Sequence, residues 1–285
     1  MNTLTTTAFA RTLPPCEINE LREAVLTQGY CVLRAYVPAA SIASLRTEIE
    51  DCYERFASAL GAGGYVAPVG MQSVIRDDRM INNVFHFSKN ILEWATCGNH
   101  LEVIKTFLND PFYGLIPKDD PNFILAQLNA REGRVALPFH VDTRMCTPGP
   151  STWSMQCYLS VDATHAGNGG LRVVPGSHLS GVFPDCTKNH PNSLDLELAA
   201  GDMVIFSSQL HHATTACAGA LMPSWTVLVT YRCWWVKQQY DIAKMVPQTW
   251  WSDLSPNQKL MLGDSSQVSA DIYGSASSRK GYAVL

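Results

Sequence analysis

The sequence predicts a mainly β sandwich or barrel preceded by helices, and three observations predict it. From Phe123 onward, short apolar runs of strand length recur, with turn residues between them. Before that point, apolar residues recur at helical spacing instead. No internal repeat, low-complexity tract or linker divides the 285 residues, so one domain over 1–285 is expected. Many short, evenly punctuated strands favour a closed or double-layered β architecture. The expected layout is a mainly helical part over 1–122, a strand-rich core over 123–240 and a polar C-terminal extension over 241–285.

The elements follow in order. Glu17 to Gln28 reads as a helix, with Leu21, Ala24 and Val25 on one face and Gly29 as its stop. Tyr30 to Val37 reads as a strand. Pro38 then opens a helix through Leu60, with Ile42, Leu45, Ile49 and Tyr53 at helical spacing. Gly61-Ala62-Gly63-Gly64 ends it, and the aperiodic segment to Arg79 reads either as a lid beside a site or as a surface loop. Asn90 to Asn109 reads as one helix with a stripe of Ile91, Trp94, Leu101, Ile104 and Leu108. Strands are expected at Phe123–Glu132, Ala136–Asp142, Trp153–Ala163, Leu171–Pro175, Leu194–Leu198, Met203–Phe206 and Trp225–Trp235. A short helix is expected at Pro256–Leu262 and a loosely held end around Ser275–Ser278.

Composition narrows the function classes. The chain is 46% hydrophobic and 16% charged, enough for a substantial core, and its net charge is −4 with no basic run. That argues against nucleic acid or an anionic membrane as partner. Nine cysteines form no CxxC pair and several sit in apolar runs. They read as small buried hydrophobes in a reducing compartment rather than as a zinc site. Met1 to Pro15 lacks a basic segment followed by an apolar one, and no apolar stretch approaches the ~20 residues of a membrane span. A soluble cytoplasmic protein is expected, its oligomeric state open.

The chemistry centres on Leu137-Pro138-Phe139-His140-Val141-Asp142-Thr143-Arg144. In a strand, residues two apart share a face, so His140 and Asp142 point together while Val141 points away. A second imidazole would complete a set of two histidines and one carboxylate, which leaves open positions on an octahedral Fe(II). His211 and His212 supply the candidates, and because they are adjacent in an extended segment only one of them can reach the same ion.

Downstream come Asn168-Gly169-Gly170-Leu171-Arg172-Val173-Val174-Pro175-Gly176-Ser177-His178, then Gly201-Asp202-Met203-Val204-Ile205-Phe206, then His211-His212. With the HxD, this ordered series resembles the phytanoyl-CoA dioxygenase-like family of Fe(II)/2-oxoglutarate oxygenases. The motifs span roughly 123–240, and the helical N-terminal part and Trp235-Val236-Lys237-Gln238-Gln239 also look like that family. The resemblance implies a double-stranded β-helix (jelly roll, cupin-like) with helices packed on one sheet. It implies His140, Asp142 and His212 as metal ligands, Fe(II) as the metal, and 2-oxoglutarate and O2 as co-substrates. A small-molecule metabolite would be hydroxylated, desaturated or cyclised, by analogy in natural-product biosynthesis. Asp142 at the carboxylate position argues for oxygenation rather than halogenation.

One element of the family pattern is missing. An arginine about eleven residues past the distal histidine usually holds the far carboxylate of 2-oxoglutarate, and here that count lands on Pro223. No arginine follows His212 until Arg232. The expectation is that Arg79 takes the role, helped by Gln127 and Asn129, with Thr143 and Arg144 also facing the cavity. Three alternatives stand beside this: an Fe(II) oxygenase or isomerase that does not use 2-oxoglutarate, a metal-free binding protein, and a cupin-like isomerase or hydrolase using another metal. His178 reads as structural. His86, His100, His165 and His190 read as surface or ordinary hydrogen-bonding residues. Most of Trp153, Trp225, Trp234 and Trp235 read as core. The loops 144–152 and 179–193 are expected to rim the pocket.

Overall fold

The computed structural model describes residues 10–61, 79–110, 120–188, 190–219, 221–238 and 241–263. The expected lid over 61–79 and the Ser275–Ser278 end therefore lie almost wholly outside the described residues. Two antiparallel sheets form the frame. The strands are β1 (Tyr30–Leu33), β2 (Met80–Ile81), β3 (Phe123–Glu132), β4 (Leu137–His140), β5 (Ser154–Ser160), β6 (Leu171–Val173), β7 (Leu194–Asp195), β8 (Met203–Ser207), β9 (His212–Thr214) and β10 (Trp225–Cys233). The larger sheet runs β1-β8-β5-β10-β3-β2 and the smaller β4-β9-β6-β7. This is the expected jelly roll.

Strand β10 shows why the sequence folds so. Its Val227, Val229 and Tyr231 enter the main apolar core, shared with the helices. Its Thr226, Leu228, Thr230 and Arg232 face the other way and line a cavity. The period-two alternation of a strand thus separates a packing face from a chemical face. A smaller apolar cluster of Tyr158, Leu171, Val173, Leu198, Val204, Phe206 and Leu210 joins the two sheets.

The helices pack on the outer face of the larger sheet. They are α1 (Pro15–Gln28), α2 (Ala39–Gly61), α3 (Lys89–Cys97), α4 (Leu101–Leu108), α5 (Ile242–Met245), α6 (Gln248–Trp251) and α7 (Pro256–Met261). Gly29 ends α1 at φ +87°, its N–H donating to Val25 O. A side chain there would meet the buried His178 ring at 2.6 Å, so that histidine is part of the packing. Ser255 and Gln258 close α7 with a reciprocal capping box.

Several boundaries differ from the sequence expectation, each for a local reason. Strand β1 stops at Leu33 instead of Val37, because Ala35 turns to φ +46° and its N–H is captured by Asp202 Oδ1 at 2.7 Å. Asp202 also accepts from Arg34 and from Ala199 N–H, so the Gly201-Asp202 turn joins the N-terminal part to β8. The helix expected over Asn90–Asn109 is two helices, parted at Gly98. There His100 is fully buried between Tyr36 and Tyr231, and a Cβ on Gly98 would stand 2.5 Å from its ring. Strand β4 ends at His140, so Asp142 lies just beyond it. Trp225 is fully buried, whereas Trp235 is exposed. Cys31, Cys52, Cys157 and Cys233 are buried, but Cys16, Cys97 and Cys186 are not. Among the described residues, no helix is long and apolar enough to cross a membrane.

Candidate metal centre and cavity

His140 and His212 are direct cross-strand partners of β4 and β9. Their rings lie 4.2 Å apart, centroid to centroid. Asp142 is brought to them by a backbone bond: its N–H donates to Ser208 O at 2.9 Å, tying the residues after β4 to the end of β8. One carboxylate oxygen then stands 3.5 Å from His140 Nε2 and the other 3.4 Å from His212 Nε2. The three ligand atoms lie within 4.8 Å of one another. His211, one residue earlier, turns the opposite way and bonds to Val182 O at 2.8 Å.

The donor set fits a divalent ion. His140 Nδ1 is 2.8 Å from Pro138 O, and His212 Nδ1 is 2.9 Å from Leu210 O. A carbonyl only accepts, so each Nδ1 carries the proton and each Nε2 presents a lone pair. Tying the second ring nitrogen to a carbonyl is how metal-binding histidines are oriented. Asp142 Oδ2 is buried without a hydrogen-bond partner, an arrangement that a cation relieves. Burial alone would raise the Asp142 carboxyl. Positive charge beside it, on His212 and His140 or on a bound cation, outweighs that and holds it well below the ordinary carboxylate range. Two imidazoles and one carboxylate suit Fe(II) and leave coordination positions open.

The triad sits in a cavity of about 390 Å³ between the two sheets. Gln127 and Asn129, both expected here, line it from β3, and Thr143 and Arg144 line it past the HxD. Asn129 Oδ1 accepts the Asn83 N–H and Thr143 Oγ1 accepts from Trp153 Nε1, which fixes both side chains. Beneath the triad, Thr230 donates to Gln156, and Gln156 donates to Ser208. Among the described residues, none of the 179–193 loop lines the cavity; its first residue accepts from Gly149 N–H instead.

Arg79 does not join these residues. Its guanidinium donates to Glu132 at 2.9 Å and to Glu50 at 2.5 Å, and lies over the Tyr53 ring. Glu132 is almost wholly buried, so the cation is committed to it. The physical reason is that β2 pairs with the outer edge of β3, and Arg79 precedes it on the helix side. In its place Arg131, unmarked in the sequence, lines the cavity with Tyr158, Thr214 and Thr226. Arg131 donates to Thr214 Oγ1 at 3.0 Å. Its signal was present: Arg131 has the same strand parity as Gln127 and Asn129. Its relation to Thr226 needed the register.

The comparisons agree with this geometry. No curated protein sequence matches the chain. Several solved structures share the fold. HygX from Streptomyces hygroscopicus, solved with nickel and 2-oxoglutarate bound, superposes with a TM-score of 0.56 at 14% identity, covering 82% of this chain and 94% of HygX. The non-haem α-ketoglutarate-dependent carbocyclase SnoK of nogalamycin biosynthesis gives 0.55 at 14% identity over 87% of this chain and 93% of its own. The epimerase SnoN, in complex with Fe3+, α-ketoglutarate and nogalamycin RO, gives 0.53 at 15% identity over 83% and 92%. At that identity they establish the jelly roll alone. The sequence profile of the phytanoyl-CoA dioxygenase (PhyH) family matches residues 25–220, well over half the chain, and the protein therefore belongs to that family.

Proposed function

We propose that the protein is a non-haem Fe(II)/2-oxoglutarate-dependent dioxygenase that hydroxylates, desaturates or cyclises a small-molecule metabolite in natural-product biosynthesis. The observation that carries it is the triad: two Nε2 lone pairs and one unsatisfied carboxylate oxygen meet inside a cavity of small-molecule size. Family membership and neighbours that bind 2-oxoglutarate support the co-substrate. They disfavour the metal-free and 2-oxoglutarate-independent alternatives.

His140, His212 and Asp142 would hold the iron. When bound, that iron couples the oxidative decarboxylation of 2-oxoglutarate to succinate with oxidation of a substrate C–H bond. The rest is the work of the chain. Arg131 would hold the far carboxylate of 2-oxoglutarate, with the Thr214, Thr226 and Tyr158 hydroxyls around it. Its forked guanidinium matches a carboxylate in a way that a hydroxyl or a lysine does not. Gln127 and Asn129, on the same face of β3, would supply further polar contacts. The Gln156–Ser208–Thr230 chain holds the backbone that positions Asp142. Leu171 and Phe206, both buried, supply apolar wall to the cavity.

Anaerobic addition of 2-oxoglutarate to the Fe(II) protein tests this reading. A metal-to-ligand charge-transfer band and succinate release on admitting O2 are expected. Absence of both at saturating co-substrate refutes it.

A further inference from the structure

Two guanidiniums in the cavity have no counter-charge of their own. Arg232 is the last inward-facing residue of β10, half-buried, and Arg144 is exposed two residues beyond Asp142. Among the described residues, neither forms a hydrogen bond or an ion pair. Every other described arginine is engaged: Arg79 with Glu50 and Glu132, Arg172 with Asp195, Arg34 with Asp202, Arg46 with Asp162, Arg131 with Thr214. The electrostatic neighbours of Arg232 are Asp142 and Arg144. One of these is the carboxylate that would ligate the metal, which would claim its charge. The other repels.

Such a pair is costly unless it has a task. A half-buried guanidinium without an acceptor loses hydration and gains nothing for it. Burial draws Arg232 below the ordinary arginine value, Asp142 counters this, and the Arg144 charge adds to the lowering. Both features disappear if an oxyanion sits between the two side chains. The position also matters. Arg232 lies six residues from Thr226, about 20 Å along the strand. Arg131 is opposite Thr226 and so marks the other end of the cavity. Arg131 acts electrostatically on His140 and Asp142 on Arg232, so the two arginine groups flank the triad from opposite ends, and the second reaches solvent through the exposed Arg144.

We propose that Arg232 and Arg144 form an anion seat at the solvent-exposed end of the cavity, and that the organic substrate presents a carboxylate to it. This rests on the oxygenase reading and names the substrate class: a small molecule bearing a carboxylate, held so that a C–H bond near that carboxylate faces the triad. Bidentate pairing with guanidinium fixes orientation as well as affinity. The competing source of the same chemistry is the metal-chelating carboxylate of 2-oxoglutarate itself, and the experiment separates the two.

The probes are benzoate and indole-3-acetate, with benzamide and indole-3-acetamide as neutral controls. Calorimetry is run anaerobically on protein saturated with Fe(II) and 2-oxoglutarate. The acids are expected to bind at least about tenfold more tightly than the amides, the factor that one charge-assisted hydrogen-bonded pair supplies. Arg232→Gln and Arg144→Gln should each remove most of that preference, leaving amide binding and 2-oxoglutarate affinity unchanged. Arg232→Lys, which keeps the charge, should retain part of it and shows that the site still folds. Acids and amides binding alike, or neither binding, overturns the seat. So does a loss of 2-oxoglutarate affinity in Arg232→Gln as large as the loss for the acids, since the seat would then serve the co-substrate. Calorimetry reads the preference whether or not the charge-transfer band forms, so failure of the oxygenase reading and failure of the seat are separate results.

Discussion

Thr226 on β10 stands directly across from Arg131 on β3, in register. The position eleven residues past His212, where the family arginine is expected, is Pro223, just before β10, and the proposed replacement, Arg131, enters the cavity from the neighbouring strand. Cross-strand neighbours have Cβ atoms only about 5 Å apart, so a long side chain can serve the same point from either strand. Arg131→Leu should therefore raise the 2-oxoglutarate dissociation constant by about 100-fold while iron content holds, as expected for loss of a charge-assisted pair. Adding Thr226→Arg to that variant should recover part of the affinity. Titration of the charge-transfer band measures both.

The adjacent histidines divide by direction. His212 faces His140 and Asp142, and His211 faces Val182. His212→Ala and His140→Ala should each abolish stoichiometric Fe(II) binding. His211→Ala should retain it. Iron content after anaerobic loading and desalting distinguishes them, and loss of iron in His211→Ala alone would reverse the assignment.

Arg79 ties α2 to the sheet. It bridges Glu50 and the buried Glu132, while Trp225 Nε1 donates to the same Glu50. Breaking a buried pair leaves an uncompensated charge, which costs about 3–5 kcal/mol. Arg134 still holds Glu132, so the loss in Arg79→Met should be nearer 2–3 kcal/mol on that scale. Urea denaturation should show this loss with 2-oxoglutarate affinity unchanged. A large loss of affinity without destabilisation would restore Arg79 to the co-substrate.

His100 makes stability depend on pH far from the metal. Burial pushes it down to about 3. Tyr36 donates to its Nδ1, and its Nε2–H donates to Tyr231, whose own hydroxyl donates to Ala95 O. The folded state keeps this ring neutral. The unfolded chain takes up a proton as pH falls through about 6.5. Stability from this residue is thus full above that value and is lost as pH falls toward 3, by up to about 1.4 kcal/mol per pH unit. His100→Gln should flatten the dependence by one proton, seen in urea midpoints collected across that window.

What was legible in the sequence was what depends on local period and local order. The strand run from Phe123, the alternation that aims His140, Gln127 and Asn129 at one cavity, the cap at Gly29 and the helix at Pro256 all follow from spacing along a few residues. The ordered motifs carried the family. What only the tertiary structure decided was which distant side chains share a neighbourhood. Strand register set Arg131 beside Thr226, and the pairing of β4 with β9 set His140 beside His212. The edge pairing of β2 took Arg79 to Glu132 instead of to the cavity. Register and sheet order are fixed by burial of one apolar face of β10 against the helices while the other lines the cavity, and a one-residue slip would turn every cavity side chain into the core. That choice is made by the whole sheet together, so no single segment of sequence displays it.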